Sequence, residues 1–376
     1  MNGHAYLKKH FVAYLTLIVS CLGTTGCLSA MLAKRIVQAP NQQSAPKIVT
    51  DKKYADLMNK TYSKVWSVPV SNPSAELSVA LVEPADYHLE HSLVVNDTGD
   101  GHGNWTVNFK WRFPERTVQP LPAKGTIILL HGILVSKDTM LHWALYLAQE
   151  GYRSVLVDLR GHGLSTGDWI GYGAFEAHDL KQVLDDLEAR GLASGKVGVL
   201  GVSYGASVAL QFAALDPRVK AVVALEPFSD PEKAVVEFGR GYFKKLTARL
   251  SDRDFSSALN RASHLAHFSW SQSDVIIAVE KTSAPILFFH GGKDSWISPE
   301  NSRILVAHAR PPSRLEIVKN DDHVMLATRL DPIASEVATW FGKTLLPEGA
   351  ALARDYPRRD GSAMGGYIML DFALRQ

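Results

Sequence analysis

The chain of 376 residues carries 40 Lys and Arg against 38 Asp and Glu, a net charge of +2. That near balance leaves no basic excess to neutralise phosphates, so nucleic acid is excluded as the expected partner, while an apolar share of 46% is ample for one large domain with its own core. Its two cysteines, Cys21 and Cys27, both lie near the amino end, so neither a disulfide framework nor thiol catalysis is expected in the folded domain.

The first residues have the layout of an address. Lys8, Lys9 and His10 precede an apolar run at 11–20, and small residues with the two cysteines follow it, as in a secretory signal peptide. The run is too short to span a bilayer comfortably. Ile18-Val-Ser-Cys21 and Thr24-Thr-Gly-Cys27 each resemble the bacterial lipobox, whose cysteine becomes the lipidated first residue of the mature chain. Cys27 is the preferred anchor because Gly26 precedes it and a fuller apolar core stands upstream; Cys21 is the alternative, and cleavage near Ala30 without lipidation is the other outcome. On this reading residues 1–27 are a signal peptide, and the protein is exported and held at a membrane by its lipid. Residues 28–74, rich in Lys, Gln, Asn, Pro and Ser, read as a tether or loose lead-in. Positions 54–66 are compatible with a helix to which the sequence gives no role.

A domain over 75–344 is expected next. Runs at 77–82 and 105–111 alternate as antiparallel strands do, around a Gly, Asp and Asn turn at 97–104. A buried strand at 125–130 ends in His131-Gly132, and from there strand and helix patterns alternate: a helix at 136–150 with Ser136 as its cap, a strand at 153–159, and a helix at 174–190. In that last helix Leu180, Val183, Leu184 and Leu187 repeat at i, i+3, i+4 and i+7. Strands at 196–202, 219–225, 285–290 and 315–318 and helices at 206–215, 300–309 and 331–341 complete the pattern. Such alternation builds a mostly parallel sheet with helices on both faces, and ligands then sit at the carboxyl ends of the strands.

The turn between strand 196–202 and helix 206–215 carries Gly201-Val-Ser203-Tyr-Gly205. A serine on a strand-to-helix corner stands clear of the surface, with backbone N–H donors and the positive end of a helix beside it. Gly-x-Ser-x-Gly alone is weak evidence, and this chain holds a second copy, Gly163-Leu-Ser165-Thr-Gly167. That copy lies in a glycine-rich loop with no strand directly before it and no helix directly after. Context therefore selects Ser203.

Five motifs in order and spacing, His131-Gly-Ile133, Asp158-Leu-Arg-Gly-His-Gly-Leu-Ser165, Gly201-Val-Ser-Tyr-Gly205, His290-Gly-Gly-Lys-Asp294 and Asp322-His323, resemble those of the α/β-hydrolase fold serine hydrolases over residues 125–341. The resemblance, to esterases, lipases and serine aminopeptidases of that fold, implies a triad of Ser203, Asp294 and His323. It also implies an oxyanion hole from the backbone N–H groups of Tyr204 and Ile133. The residues agree with it: Asp294 follows a strand through Gly291-Gly292, and His323 follows the next strand by a short polar loop, so both fall at the rim where Ser203 lies. Glu226, which ends the strand after the nucleophile helix, is the alternative acid.

An insertion at 229–284 before the strand leading to Asp294 occupies the place of this family's lid. Helices are expected at 232–250, with Val235, Gly239, Tyr242, Leu246 and Leu250 on one face, and at 261–279. The basic face carrying Arg240, Lys244, Lys245 and Arg249 reads as a solvated surface rather than a membrane contact. The tail at 345–376 has no counterpart in the core pattern. The expected activity is hydrolysis of an ester-like acyl bond on a small or lipid-like substrate, through an acyl-enzyme and without metal or organic cofactor. Peptidase or acyltransferase action on the same machinery is the alternative, and a binding scaffold without turnover is the non-enzymatic one.

Overall fold

The computed structural model describes residues 25–43, 58–97, 103–112, 122–347 and 365–372, apart from positions 59, 86 and 194. The expected signal peptide, with Cys21, lies outside the described residues up to position 24; Cys27 falls in the first turn of a helix, α1 (Thr25–Val37).

Eight strands form the main sheet: β1 (Lys64–Val70), β2 (Ala75–Val82), β5 (Thr126–Leu130), β6 (Arg153–Val157), β7 (Val197–Val202), β8 (Val219–Leu225), β9 (Ile286–Gly291) and β10 (Arg314–Val318). Their order is β1-β2-β6-β5-β7-β8-β9-β10. The pairs β1–β2 and β2–β6 are antiparallel and the other neighbours are parallel. This is the mostly parallel sheet of the α/β-hydrolase fold. Its central strands β5, β7 and β9 are buried at every position, which is why they read as unbroken apolar runs rather than alternating ones.

Helices cover both faces. On one lie α2 (Leu141–Gln149) and α10 (Ala334–Leu345), packed through Trp143, Leu147, Val337 and Phe341. On the other lie α3 (Glu176–Ala189), α4 (Tyr204–Leu215), α7 (Val275–Lys281) and α8 (Glu300–His308). In α3 the expected stripe of Leu180, Val183, Leu184 and Leu187 is fully buried, each side chain contributing about 1.5–3 kcal/mol of apolar burial. The expected helix at 136–150 begins as a 3₁₀ turn, and Ser136 does not cap it.

Two segments depart from the sequence reading. Residues 28–43 are not a tether: Ala33, Ile36 and Val37 of α1 are buried in the main core against the lid helix α6 (Asp252–Ala266). The chain then runs along the glycine-rich loop, with Ala39 N donating to Asp168 O at 2.8 Å, Asn41 N to Gly161 O at 2.9 Å and Tyr172 Oη to Ile36 O at 2.9 Å. Likewise the sheet begins at Lys64 rather than at 75, and positions 64–66 are strand instead of helix. The tail contributes β11 (Gly365–Phe372), paired antiparallel with β4 (Gly103–Arg112), which pairs in turn with β3 (His88–Asp97).

The insertion is helical but broken differently. The first lid helix, α5 (Pro231–Tyr242), is capped by Asp230, whose side chain accepts from Glu232 N and Lys233 N. It stops at Phe243, and a single turn at Lys244–Thr247 follows. The helical register is lost there, so Leu246, expected on the packed face, is exposed. The second expected helix, at 261–279, is not continuous: it takes in the end of α6, breaks at left-handed His267 (φ 58), and resumes as a 3₁₀ turn at Trp270–Ser273 and the start of α7.

Candidate active site

The corner between β7 and α4 is close-packed. A Cβ on Gly201 would lie 2.3 Å from Gly205 O, and one on Gly205 would lie 2.5 Å from both His131 O and Leu130 O. No side chain fits at either position, so both glycines are required for the helix to start where it does. Ser203 itself is left-handed at φ 53, ψ −114, a strained backbone for a serine, of the kind that clusters at functional sites. It occupies the N-cap position of α4, yet its side chain caps nothing. The hydroxyl is turned instead to His323: Ser203 Oγ lies 3.0 Å from Nε2.

The imidazole is held from its other side. His323 Nδ1 donates to Asp294 Oδ2 at 2.6 Å. Asp294 Oδ1 accepts from Trp296 N at 2.8 Å and Ile297 N at 2.9 Å, and His290 Nε2 stands 3.3 Å from Oδ2. Burial works to raise the Asp294 carboxyl, but the His323 charge, the bonds from His290 and His323 and the Ile297 amide outweigh it. They hold the group well below the usual carboxylate range. Asp294 is therefore the anion that fixes the imidazole with Nε2 free to accept a proton. An imidazole so placed can take the hydroxyl's proton as the oxygen attacks, then give it to a leaving group.

Glu226 reaches the same place from β8. Its Oε2 is 3.5 Å from His323 Nδ1, beyond hydrogen-bond length, so Asp294 and not Glu226 makes the bond. Among the described residues Glu226, Asp294 and His323 also form a cluster with one donor atom each, all within 4.8 Å, spacing that would suit a cation. The 2.6 Å bond, however, commits the imidazole and the aspartate to each other.

The side of Ser203 where the sequence reading expects oxyanion donors is formed by β5 and α4. Tyr204 is the first residue of α4, so its N–H has no partner within the helix. The backbone at Gly132 runs alongside: a Cβ there would come 3.7 Å from the Cβ of Ser203. Ile133 follows, then left-handed Leu134 at φ 65. Behind this loop His131 Nδ1 donates to Gly132 O at 2.7 Å and its Nε2 accepts from Leu159 N at 3.0 Å. Burial, then the neighbouring His162, lowers its pKa to about 3, so it is a neutral structural group. Lys137 Nζ meets Asp158 Oδ2 at 2.7 Å, both side chains buried. The phenol of Tyr204 donates to Glu176 Oε1 at 2.8 Å and accepts from Tyr172 N at 3.2 Å. The second Gly-x-Ser-x-Gly is structural: buried Ser165 donates from Oγ to Asp158 O at 2.7 Å and accepts from Ser78 N at 2.9 Å.

Sequence reasoning passed over several residues here. The ring of Trp296 lies 5.2 Å from that of His323, and α5 packs Tyr242 edge-on against Trp296 at 4.8 Å and Phe238 at 6.0 Å. Glu237 ties that lid helix down, accepting from Ser298 N at 3.2 Å and Asn301 Nδ2 at 3.1 Å. The aromatic neighbours of Tyr242 and the closeness of Trp296 to Asp294 were the available signals. Nothing local marked Glu176 or His290 Nε2 as supports.

A strand-to-helix corner carrying an uncapped serine, at the carboxyl rim of a mostly parallel sheet, defines a serine hydrolase of the α/β-hydrolase class. Relatives bear on the class. YqkD of Bacillus subtilis (strain 168), an uncharacterized protein, is 27% identical over 215 residues, 56% of this chain and 69% of its own length. A provisional esterase from the same strain, YitV, is 25% identical over 233 residues, 54% of this chain and 83% of its own length. The esterase Pf2001 of Pyrococcus furiosus is similar in fold, with a TM-score of 0.53 at 18% identity over 80% of this chain and 100% of that one. The chain belongs to the X-Pro dipeptidyl-peptidase (S15) family, which matches residues 30–252. That match contains Ser203 and ends before Asp294 and His323.

Proposed function

We propose that this protein hydrolyses an ester-like acyl bond through an acyl-enzyme, with Ser203 as nucleophile, His323 as base and then acid, and Asp294 as the group that orients the imidazole. The observation that carries the reading is the serine that leaves its own helix uncapped to face His323 Nε2 at 3.0 Å. Attack by Oγ on the carbonyl passes the hydroxyl proton to Nε2, and the developing oxyanion meets the N–H groups of Tyr204 and Ile133. Collapse of the intermediate breaks the bond to the leaving oxygen, which departs as the alcohol with the proton from Nε2; water, deprotonated by the neutral imidazole so restored, then attacks the acyl-enzyme, and Ser203 leaves with that proton as the acid is released. An ester is favoured as substrate by the provisional esterase among the relatives and by the esterase of like fold.

Peptidase action on an X-Pro bond is the second reading, and the family match favours it. Both use the same machinery and differ in leaving group. A panel of p-nitrophenyl esters of graded chain length beside X-Pro p-nitroanilides separates them. The ester reading expects kcat/KM at least about 10²-fold higher on the best ester than on any anilide. Anilides turned over as fast as esters would favour the peptidase.

A further inference from the structure

Glu226 directly follows β8, the strand lying between the one that delivers Ser203 and the one that leads to Asp294. Its amide donates to Phe289 O of β9 at 2.8 Å, and Ser203 N donates to Leu225 O of β8 at 2.7 Å, so its position is fixed from both sides. The backbone is left-handed at φ 56, unfavourable for a residue with a side chain. Glu226 is wholly buried, and neither carboxyl oxygen makes a hydrogen bond of normal geometry. The fold thus bears two costs, a strained backbone and an unsatisfied buried acid, where a leucine would avoid the second. What the acid faces is His323 Nδ1, 3.5 Å from Oε2, with the Asp294 carboxyl inside the same 4.8 Å cluster.

We infer that Glu226 is a positioning residue of the Ser203 relay, a reserve carboxyl held against the Nδ1 side of His323 that can orient the imidazole in place of Asp294. The inference rests on the hydrolase reading above. The groups facing Glu226 are Asp294 and His323, then Asp322 and Asp321 on the loop before α9 (His323–Thr328), where Asp321 pairs with Arg329 at 2.6 Å. Burial, then the charges of Asp294 and Asp322, push the carboxyl well above its usual range, and the Gly291 amide opposes this only weakly. Glu226 therefore keeps its proton while Asp294 is ionised, leaving one negative charge beside the imidazole. During turnover the Ser203 proton moves to Nε2, the Nδ1 proton stays on the bond to Asp294, and Glu226 exchanges nothing. Neutralising Asp294 removes the foremost opposing charge; Glu226 then releases its proton to solvent and accepts the Nδ1–H bond.

The test compares the full chain with Asp294→Asn, Glu226→Gln and the double variant, using the best ester and measuring kcat/KM from pH 5.5 to 9.5. A triad whose acid is made an amide loses about 10⁴-fold through the wrong imidazole tautomer. Here Asp294→Asn is expected to lose about 10²-fold. Its activity should rise with pH through an ionisation that the wild type lacks, and the added Glu226→Gln should abolish that rise and bring the loss to about 10⁴-fold. Equal losses and superimposable pH profiles for Asp294→Asn and the double variant would overturn the inference. Thermal melts check folding, and Asp294→Ala replaces Asp294→Asn if the amide variant unfolds. Ser203→Ala, run in parallel, keeps the two claims apart: activity surviving in it would defeat the hydrolase reading itself.

Discussion

The two sides of Ser203 are built on different plans. Toward Ile133 and Tyr204 the buried polar groups are cross-linked: Lys137 to Asp158 at 2.7 Å, Tyr204 to Glu176 at 2.8 Å, and both ring nitrogens of His131 to backbone. His162 Nε2 is the exception, unpaired in a ring 5.8 Å from that of Tyr204. Toward His323, Asp294 is fully bonded but the adjoining Glu226 is not. The contrast follows from what each side would do. Donors that meet a developing oxyanion act by being already in place, so a rigid backing favours them, whereas a proton relay needs carboxyls whose affinities for the proton are set apart.

The comparison can be broken at three points. Lys137→Met leaves Asp158 buried with its two backbone donors and no counter-charge, and should cost about 3 kcal/mol in a urea titration. A loss under about 1 kcal/mol would mean that the oxyanion side is not held by this pair. Tyr204→Phe deprives Tyr172 N of its acceptor and Glu176 of one donor. It should cost about 1–2 kcal/mol and lower kcat several-fold with KM little changed, because only the N–H proposed to meet the oxyanion is displaced.

The third point is Glu226→Gln, whose effect is the smallest of the three near pH 4.5 and grows with pH. A carboxyl raised in the folded state contributes stability that is complete below its unfolded pKa and is lost as pH rises toward the folded one. The glutamine does not titrate. Thermal melts at pH 4.5, 6 and 8 should therefore show Glu226→Gln gaining on the wild type as pH rises, by at most about 1.4 kcal/mol per unit. A difference independent of pH would mean that Glu226 is already ionised in the fold.

The rim of the sheet was the most legible part of the sequence. Gly201 and Gly205 are dictated by contacts of 2.3 and 2.5 Å that exclude any side chain, and unbroken apolar strands such as Val197–Val202 announce a sheet buried on both faces. Asp294 and His323 were legible as strand-end residues because the alternation of elements fixes which rim they occupy. The amino-terminal helix was not: Ala33, Ile36 and Val37 repeat at i, i+3 and i+4, but what they bury against is α6, more than 200 residues on. β1 was hidden because its edge position leaves Lys64, Val65, Ser67 and Pro69 outward, and β11 because its partner β4 lies some 250 residues earlier. Glu226 was legible as a candidate acid and illegible as a second one, since sequence order cannot distinguish a bond of 2.6 Å from an approach of 3.5 Å.

Covalent capture tests the account most directly. The folded chain is treated with a fluorophosphonate probe and mapped by peptide mass spectrometry, with Ser203→Ala and His323→Ala beside it. The account predicts one adduct per chain, on Ser203, absent from the first variant and slowed at least about 10³-fold in the second. An adduct on another residue such as Ser165, or none on well-folded protein, would contradict it.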